Sequence, residues 1–321
     1  MRIVYFFLIT CFIGSSNGSY CQHSNDAVFK VVPLGVRGGI DESNLSAYML
    51  AVDGTDDYIC LDAGTLHAGI QQAIENGVFK SISAGDVLKQ YIKGYCISHA
   101  HLDHLSGLII NSPDDTAKNI YGMPYCLDVL KHNYFTWKSW INFTDDGQKP
   151  LLNKYHYVLL EAAKETAITQ TSMFVTAFPL SHSAPYQSTA FLVRHNDAYI
   201  LYLGDTGADT IDHSNQLASL WKQLAPLVKS KKLKAIFIEV SYPNEQPLSK
   251  LFGHLNPALL MKEMNVLADL AGKENMKDLP VAVTHMKPSG NNEAIIKQEL
   301  EQLNTLRLKL VFPKQGRVLV F

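Results

Sequence analysis

A chain of 321 residues, 47% hydrophobic and 18% charged, is long enough to bury a substantial core in one large domain or two small ones. A formal net charge of -2 supplies no field to draw in nucleic acid polymers or anionic membranes, so a small-molecule substrate is the better default.

Met1 and Arg2 give a positive start, and Ile3 to Gly14 form an almost unbroken apolar run too short to span a bilayer. Small residues follow at Gly14, Ser15, Ser16 and Gly18, the layout of an export signal cleaved after Ser16 or Gly18. The expectation is a signal peptide over residues 1–18. The mature protein, 19–321, is then exported to a periplasm or outside the cell, with no stable membrane insertion once the signal is removed. Oligomeric state stays open, a homodimer included. Cys11 lies in the signal, and the remaining four cysteines permit disulfides without requiring them. Cys60 and Cys96, each in a strand just before a site segment, read as a buried thiol pair.

Along the mature chain, Ala27 to Leu34 alternates weakly and runs into the glycine-rich turn Gly35 to Gly39. Leu45 to Val52 and Tyr58 to Leu61 read as strands joined by the turn Asp53-Gly54-Thr55-Asp56-Asp57. Residues 66–93 look helical in pieces, and Tyr95 to Ser98 is a short buried strand. Between about 111 and 170 the pattern is mixed, with Phe135, Trp137, Trp140 and Phe143 clustered near Asp145-Asp146-Gly147, which suggests an inserted helical or loop segment. Strands then recur at Met173 to Phe178, Ser188 to Val193, Tyr199 to Leu203, Ala235 to Val240 and Val281 to Val283, with helices over 213–229 and 257–270. A last strand pair, Leu308 to Phe312 and Arg317 to Phe321, closes the chain. Strands followed by helices, twice over, predict an α/β sandwich with helices outside two sheets.

The segment His99-Ala100-His101-Leu102-Asp103-His104 puts three imidazoles and a carboxylate into six residues, the donor types that zinc and its neighbours prefer. A tight loop leaving a strand can aim His99 and His101 at one ion while Asp103 and His104 face a second, about 3.5–4 Å away. Three further donors stand at predicted strand ends, where sites gather: His182, Asp205 and His285. Alone, each is more often a turn or core polar group. Together they complete a set for two divalent ions, with Asp205 suited to bridge because a carboxylate has two oxygens.

The ordered series H-x-H-x-D-H, then His, Asp and His, resembles the metallo-β-lactamase superfamily across nearly the whole mature chain. The string H-A-H-L-D-H-L-S-G-L-I-I-N-S-P from His99 to Pro113 is similar to the signature of the class II cyclic-nucleotide phosphodiesterases. So are Ile238-Glu239-Val240-Ser241-Tyr242 and Leu251-Phe252-Gly253-His254-Leu255. The resemblance implies a four-layer αββα sandwich, zinc as the usual metal, and hydrolysis of cAMP or cGMP to the 5'-nucleotide. It also implies that Asp62 is the aspartate supporting the His-rich loop.

Such chemistry needs a nucleophile, charge neutralisation and a partner for the departing O3' alkoxide. Two cations serve the first two needs. His254, in a glycine-flanked segment outside the donor series, is the candidate for the third, with Glu239 as the carboxylate that orients it. Asp103 also counts among the catalytic candidates. Tyr186, Tyr242, Trp137 and Trp140 are candidates to stack on a nucleobase, and Lys287 and Ser289 to meet phosphate. The rival readings are a lactonase, β-lactamase or nuclease of the same fold, and a non-catalytic metal- or nucleotide-binding protein.

Overall fold

The computed structural model describes residues 27–321, so the signal expected over 1–18, with its cysteine, lies outside the described residues. The first half of the chain contributes β1 (Phe29–Gly35), β2 (Ala47–Val52), β3 (Tyr58–Leu61), α1 (His67–Glu75), α2 (Ala84–Asp86), β4 (Ile92–Cys96), α3 (Leu102–Asn111), β5 (Lys118–Gly122), α4 (Pro124–Val129) and β6 (Tyr155–Leu159). The second half contributes β7 (Glu165–Ala167), β8 (Phe174–Ser181), β9 (Gln187–His195), β10 (Ala198–Leu203), α5 (Asp209–Asp212), α6 (Gln216–Lys229), β11 (Leu233–Glu239), α7 (Pro257–Ala271), α8 (Lys273–Met276), β12 (Pro280–Thr284), α9 (Asn292–Leu303) and β13 (Lys309–Val311). A final strand, β14 (Leu319–Val320), returns to the first half.

Two seven-stranded sheets result, in the orders β14-β1-β2-β3-β4-β5-β6 and β13-β12-β11-β10-β9-β8-β7. Phe29, Tyr48, Leu50, Ile59, Val193 and Phe237 pack between the sheets. The outer face of the first sheet is covered by a core that includes Ile70, Leu105 and Leu127 from α1, α3 and α4. The outer face of the second is covered by one that includes Trp221, Leu260 and Leu300 from α6, α7 and α9. This is the four-layer αββα arrangement that the sequence implies. No helix among the described residues is long and apolar enough to cross a membrane.

Local chemistry accounts for much of the framing. Pro257 opens α7 with its missing N–H where none is needed, and the Asn256 side chain accepts from the Leu259 N–H at 2.9 Å, a regular N-cap. The turn after β2 joins it to β3 as an antiparallel pair.

Three expectations change. Residues 111–170 are not simply helix or loop: they supply β5 and β6 to the edge of one sheet and β7 to the edge of the other. The last two strands do not pair with each other; β13 runs parallel to β12, whereas β14 lies antiparallel to β1. Cys60 and Cys96 are both buried and unbridged, but adjacent-strand register puts Cys96 opposite Leu61, so Cys60 packs in the helix-side core and Cys96 between the sheets. Alternation across the pleat separates them.

Candidate active site

All the site segments leave the C-terminal ends of strands at one end of the sandwich. Asp62 follows β3, and His99 and His101 lie on the loop after β4. Asp103 and His104 occupy the first turn of α3, so the six-residue run is split between loop and helix. From the second sheet come His182 after β8, Asp205 after β10, Glu239 at the end of β11 and His285 after β12. His254 sits in the turn ahead of α7. Strands β8, β10, β11 and β12 run the same way, which is why their following residues converge.

The donor atoms of His99, His101, His182 and Asp205 lie within 4.8 Å of one another, as do those of Asp103, His104, Asp205 and His285. Asp205 is common to both sets. Its Oδ1 is 3.2 Å from His104 Nε2, and its Oδ2 is 3.3 Å from His285 Nε2 and 3.8 Å from the Nε2 atoms of His99 and His182. His99 Nε2 and His101 Nδ1 face each other at 3.0 Å.

Two buried carboxylates hold the rings in matching ways. Asp62 accepts from His104 Nδ1 at 2.7 Å, from the Tyr202 hydroxyl at 2.7 Å, and from both the N–H and the hydroxyl of Ser98 at 2.7 Å. Since that hydroxyl proton goes to Asp62, Ser98 Oγ is left to accept from His99 Nδ1 at 3.0 Å. On the other sheet, Glu239 accepts from His254 Nδ1 at 2.7 Å and from the Ser241 hydroxyl at 2.7 Å, and Ser241 Oγ accepts from His285 Nδ1 at 2.8 Å. His182 Nδ1 donates to the Gly253 carbonyl at 2.8 Å. With each Nδ1 occupied, the lone pairs of His99, His104, His182 and His285 are left on Nε2, facing Asp205.

Two glycines make this closeness sterically feasible. A Cβ on Gly204 would lie 2.4 Å from Ser98 Oγ, and one on Gly38 would lie 2.2 Å from the His285 ring.

The charges agree with a cation site. Burial and the neighbouring imidazoles hold His99 well below the ordinary imidazole range, and burial with His182 pushes His101 down to about 4. Burial likewise lowers His182. These rings are therefore neutral donors at physiological pH. Burial would raise Asp205, but His104, His285 and His254 outweigh it and hold the carboxylate ionised. The residues fit metal ions on a further ground: burial opposes charge on His104, but Asp205 and Asp62 on its two sides outweigh it and raise the ring well above the ordinary imidazole value, so the pocket favours positive charge where Nε2 faces Asp205.

A family model for class-II cAMP phosphodiesterases matches residues 27–311. The chain belongs to this family. The 3',5'-cyclic-nucleotide phosphodiesterase of Aliivibrio fischeri is 43% identical over 307 residues, covering 91% of this chain and 93% of that one. The crystal structure of unliganded yeast PDE1 matches with a TM-score of 0.82 at 24% identity, covering 92% of this chain and 100% of that chain. YhfI of Bacillus subtilis, a metallo-beta-lactamase fold protein, matches at 0.60 and 15% identity over 91% and 99%. Both structural likenesses concern the fold, and the two helix-flanked sheets are the metallo-β-lactamase sandwich.

Around the donors of this class-II phosphodiesterase, the other candidates separate. Tyr186 stands edge-on to His101 with ring centroids 4.8 Å apart, and Tyr242 stands 5.9 Å from His254. Lys287 Nζ lies 5.7 Å over the Tyr242 ring. Trp137 and Trp140 belong elsewhere: their indole N–H groups bind the Pro150 carbonyl at 2.8 Å and, just past the end of α3, the Ser112 hydroxyl at 3.0 Å. Ser289 opens the turn before α9, its carbonyl accepting from the Asn292 N–H at 3.1 Å. Sequence reasoning missed Ser98, Ser241 and Tyr202. The only signal for the two serines was their place one or two residues from His99 and Glu239.

Proposed function

We propose that the chain hydrolyses the 3',5'-cyclic phosphodiester of cAMP or cGMP to the 5'-nucleotide, using two zinc ions. His99, His101 and His182 would hold one, Asp103, His104 and His285 the other, and Asp205 would serve both. The observation that carries this reading is the pair of four-donor sets meeting at Asp205 in a member of this family. When bound, such ions acidify a water and neutralise charge on the phosphoryl oxygens.

The chain's own residues supply the rest. His254 gives the departing O3' its proton from Nε2, because Nδ1 is committed to Glu239 at 2.7 Å. Burial opposes charge on His254, but Glu239 and Asp205 outweigh it and raise its proton affinity above the ordinary imidazole value, as an acid requires. Lys287 adds positive charge on the same side. We also propose that residues 1–18 direct export to the periplasm or the exterior; N-terminal sequencing of the secreted protein tests this, with cleavage after Ser16 or Gly18 expected.

The deciding assay incubates the zinc-loaded protein with cAMP, cGMP, a 2',3'-cyclic nucleotide and a lactone, and identifies the products. Release of 5'-AMP or 5'-GMP is expected; lactone opening without phosphodiester cleavage overturns the reading. For His254→Ala, turnover of cAMP should fall by about 10²–10⁴-fold with zinc retained. A 4-nitrophenyl diester, whose leaving group needs no proton, should suffer less. Loss of an ion instead would make His254 a ligand.

A further inference from the structure

Beside the His99 and His101 face of the donor cluster lies a cavity of about 200 Å³. Whole ligands usually occupy about 300–1,000 Å³, so this space suits one part of a substrate. Its walls are Tyr125, Cys126 and Val129 from α4, Pro185 and Tyr186 from the turn between β8 and β9, and Gln187 at the start of β9; no lysine, arginine or carboxylate is among its lining residues. Burial pushes the Cys126 thiol up, so that it too lines the space as a neutral group.

Away from the His99 and His101 end, where the phosphate belongs beside the ion, these walls are neutral and largely apolar, and a ribose would find little there to bind its hydroxyls. A flat heteroaromatic ring is the part that fits. We propose that this cavity is the nucleobase pocket, with Tyr186 as the stacking platform and Gln187 as the residue that reads the base edge. The proposal rests on the cyclic-nucleotide reading above and deepens it.

Three observations single out these two residues. Tyr186 is 59% exposed although its ring stands against His101, so much of the ring is open to stacking. The turn that presents it is anchored: Asp212 accepts from the Ser181 hydroxyl at 2.8 Å and from the Ser183 N–H at 3.0 Å, and the Tyr186 N–H donates to the Ser183 carbonyl at 3.2 Å. The tyrosine hydroxyl on the α4 wall is already engaged, since Tyr125 bonds Thr189 Oγ1 at 2.5 Å and the Ser98 carbonyl at 3.4 Å. Apart from Tyr186, whose ring serves as the stacking face, that leaves the Gln187 amide with a donor and an acceptor to spare and no side-chain partner among the described residues. The arrangement also assigns a role to α4, part of the 111–170 segment: it forms one wall of the pocket.

The test compares kcat and KM for cAMP and cGMP in the zinc-loaded wild type, Tyr186→Ala and Gln187→Glu, with methyl 4-nitrophenyl phosphate as a base-free reference and zinc content measured in each. Tyr186→Ala should raise KM for both nucleotides roughly tenfold relative to the same variant's KM for the reference diester, the scale of a lost base–aromatic stack. Gln187→Glu removes the donor that adenine N1 needs and offers a carboxylate to guanine N1–H and N2–H, so the ratio of kcat/KM for cGMP over cAMP should rise about tenfold. The added charge acts on both nucleotides and cancels in that ratio. If wild type cleaves both nucleotides but neither variant moves its KM or the ratio by more than about twofold, the base binds elsewhere and the proposal is wrong. If wild type cleaves neither nucleotide, the reading beneath it falls as well.

Discussion

At the scale of single residues, each sheet runs the same relay from carboxylate through serine to histidine. Asp62 orients His104 directly and His99 through Ser98; Glu239 orients His254 directly and His285 through Ser241. His99 belongs to one donor set and His285 to the other, so the two serines should act on different ions. Ser98→Ala and Ser241→Ala each remove the acceptor that fixes one Nδ1–H, a change that typically costs about 10–100-fold in metal affinity. Chelator competition should show one weakened ion per variant, from the His99 set in the first and the His285 set in the second. Equal loss of both ions in both variants would mean that the shared Asp205 dominates and the relays are incidental. The histidines and aspartates of this centre were readable because few other roles explain such a cluster. The serines were not, because a serine beside a strand end is common and only the fold shows what its hydroxyl touches.

At the scale of elements, what was legible followed hydrophobic pattern and capping chemistry. Helix α7, expected over 257–270, spans Pro257–Ala271, and β3 has its expected bounds. The strands of the 111–170 segment were hidden because short runs such as Lys118–Gly122 and Glu165–Ala167 hold too few apolar residues to read as strands. Lys118 at the start of β5 looks like a surface residue, yet it is buried and paired with Asp115, which also accepts from the Tyr95 and Tyr155 hydroxyls at 2.7 and 2.8 Å. The packing of α6 on α7 contains a second buried carboxyl: Glu263 accepts from the Trp221 indole N–H at 3.0 Å, and burial pushes it above its ordinary value. The sign of the linkage follows. A raised folded-state pKa means that the folded state binds the proton more tightly, so Glu263 contributes most below its unfolded value and that contribution is lost as pH rises through the folded value. Glu263→Gln keeps an oxygen for Trp221 without the charge, so at pH 7 the variant should melt higher than the native chain. The gap should close as pH is lowered toward 4. Parallel melting curves with a constant gap would show that Glu263 is not burdened by its burial.

At the scale of the whole molecule, the candidate centre is also a joint. His99, His101, Asp103 and His104 come from the first sheet's side, and His182, Asp205 and His285 from the second, so bound ions tie the two layers at the end where the strands finish. The sandwich itself was legible from strands and helices alternating twice, whereas the return of β14 to β1 depends on a pairing across the full length of the chain that no local pattern encodes. Metal removal should therefore act globally. An ion present at a hundred times its Kd stabilises the folded state by about 2.7 kcal/mol, and at about 2 °C per kcal/mol for a domain of this size, two such ions raise Tm by about 10 °C. Dialysis against a chelator should lower Tm by that order, and zinc should restore it. Hydrogen exchange should rise together in the loop after β4 and in the segments after β8, β10 and β12, because those backbones share the lost ligands. Exchange rising on one side alone would show that the ions sit within one layer and that Asp205 does not join the two sets. An unchanged Tm after confirmed zinc removal would show that the hydrogen bonds of Asp62 and Glu239 suffice to hold the donors in place.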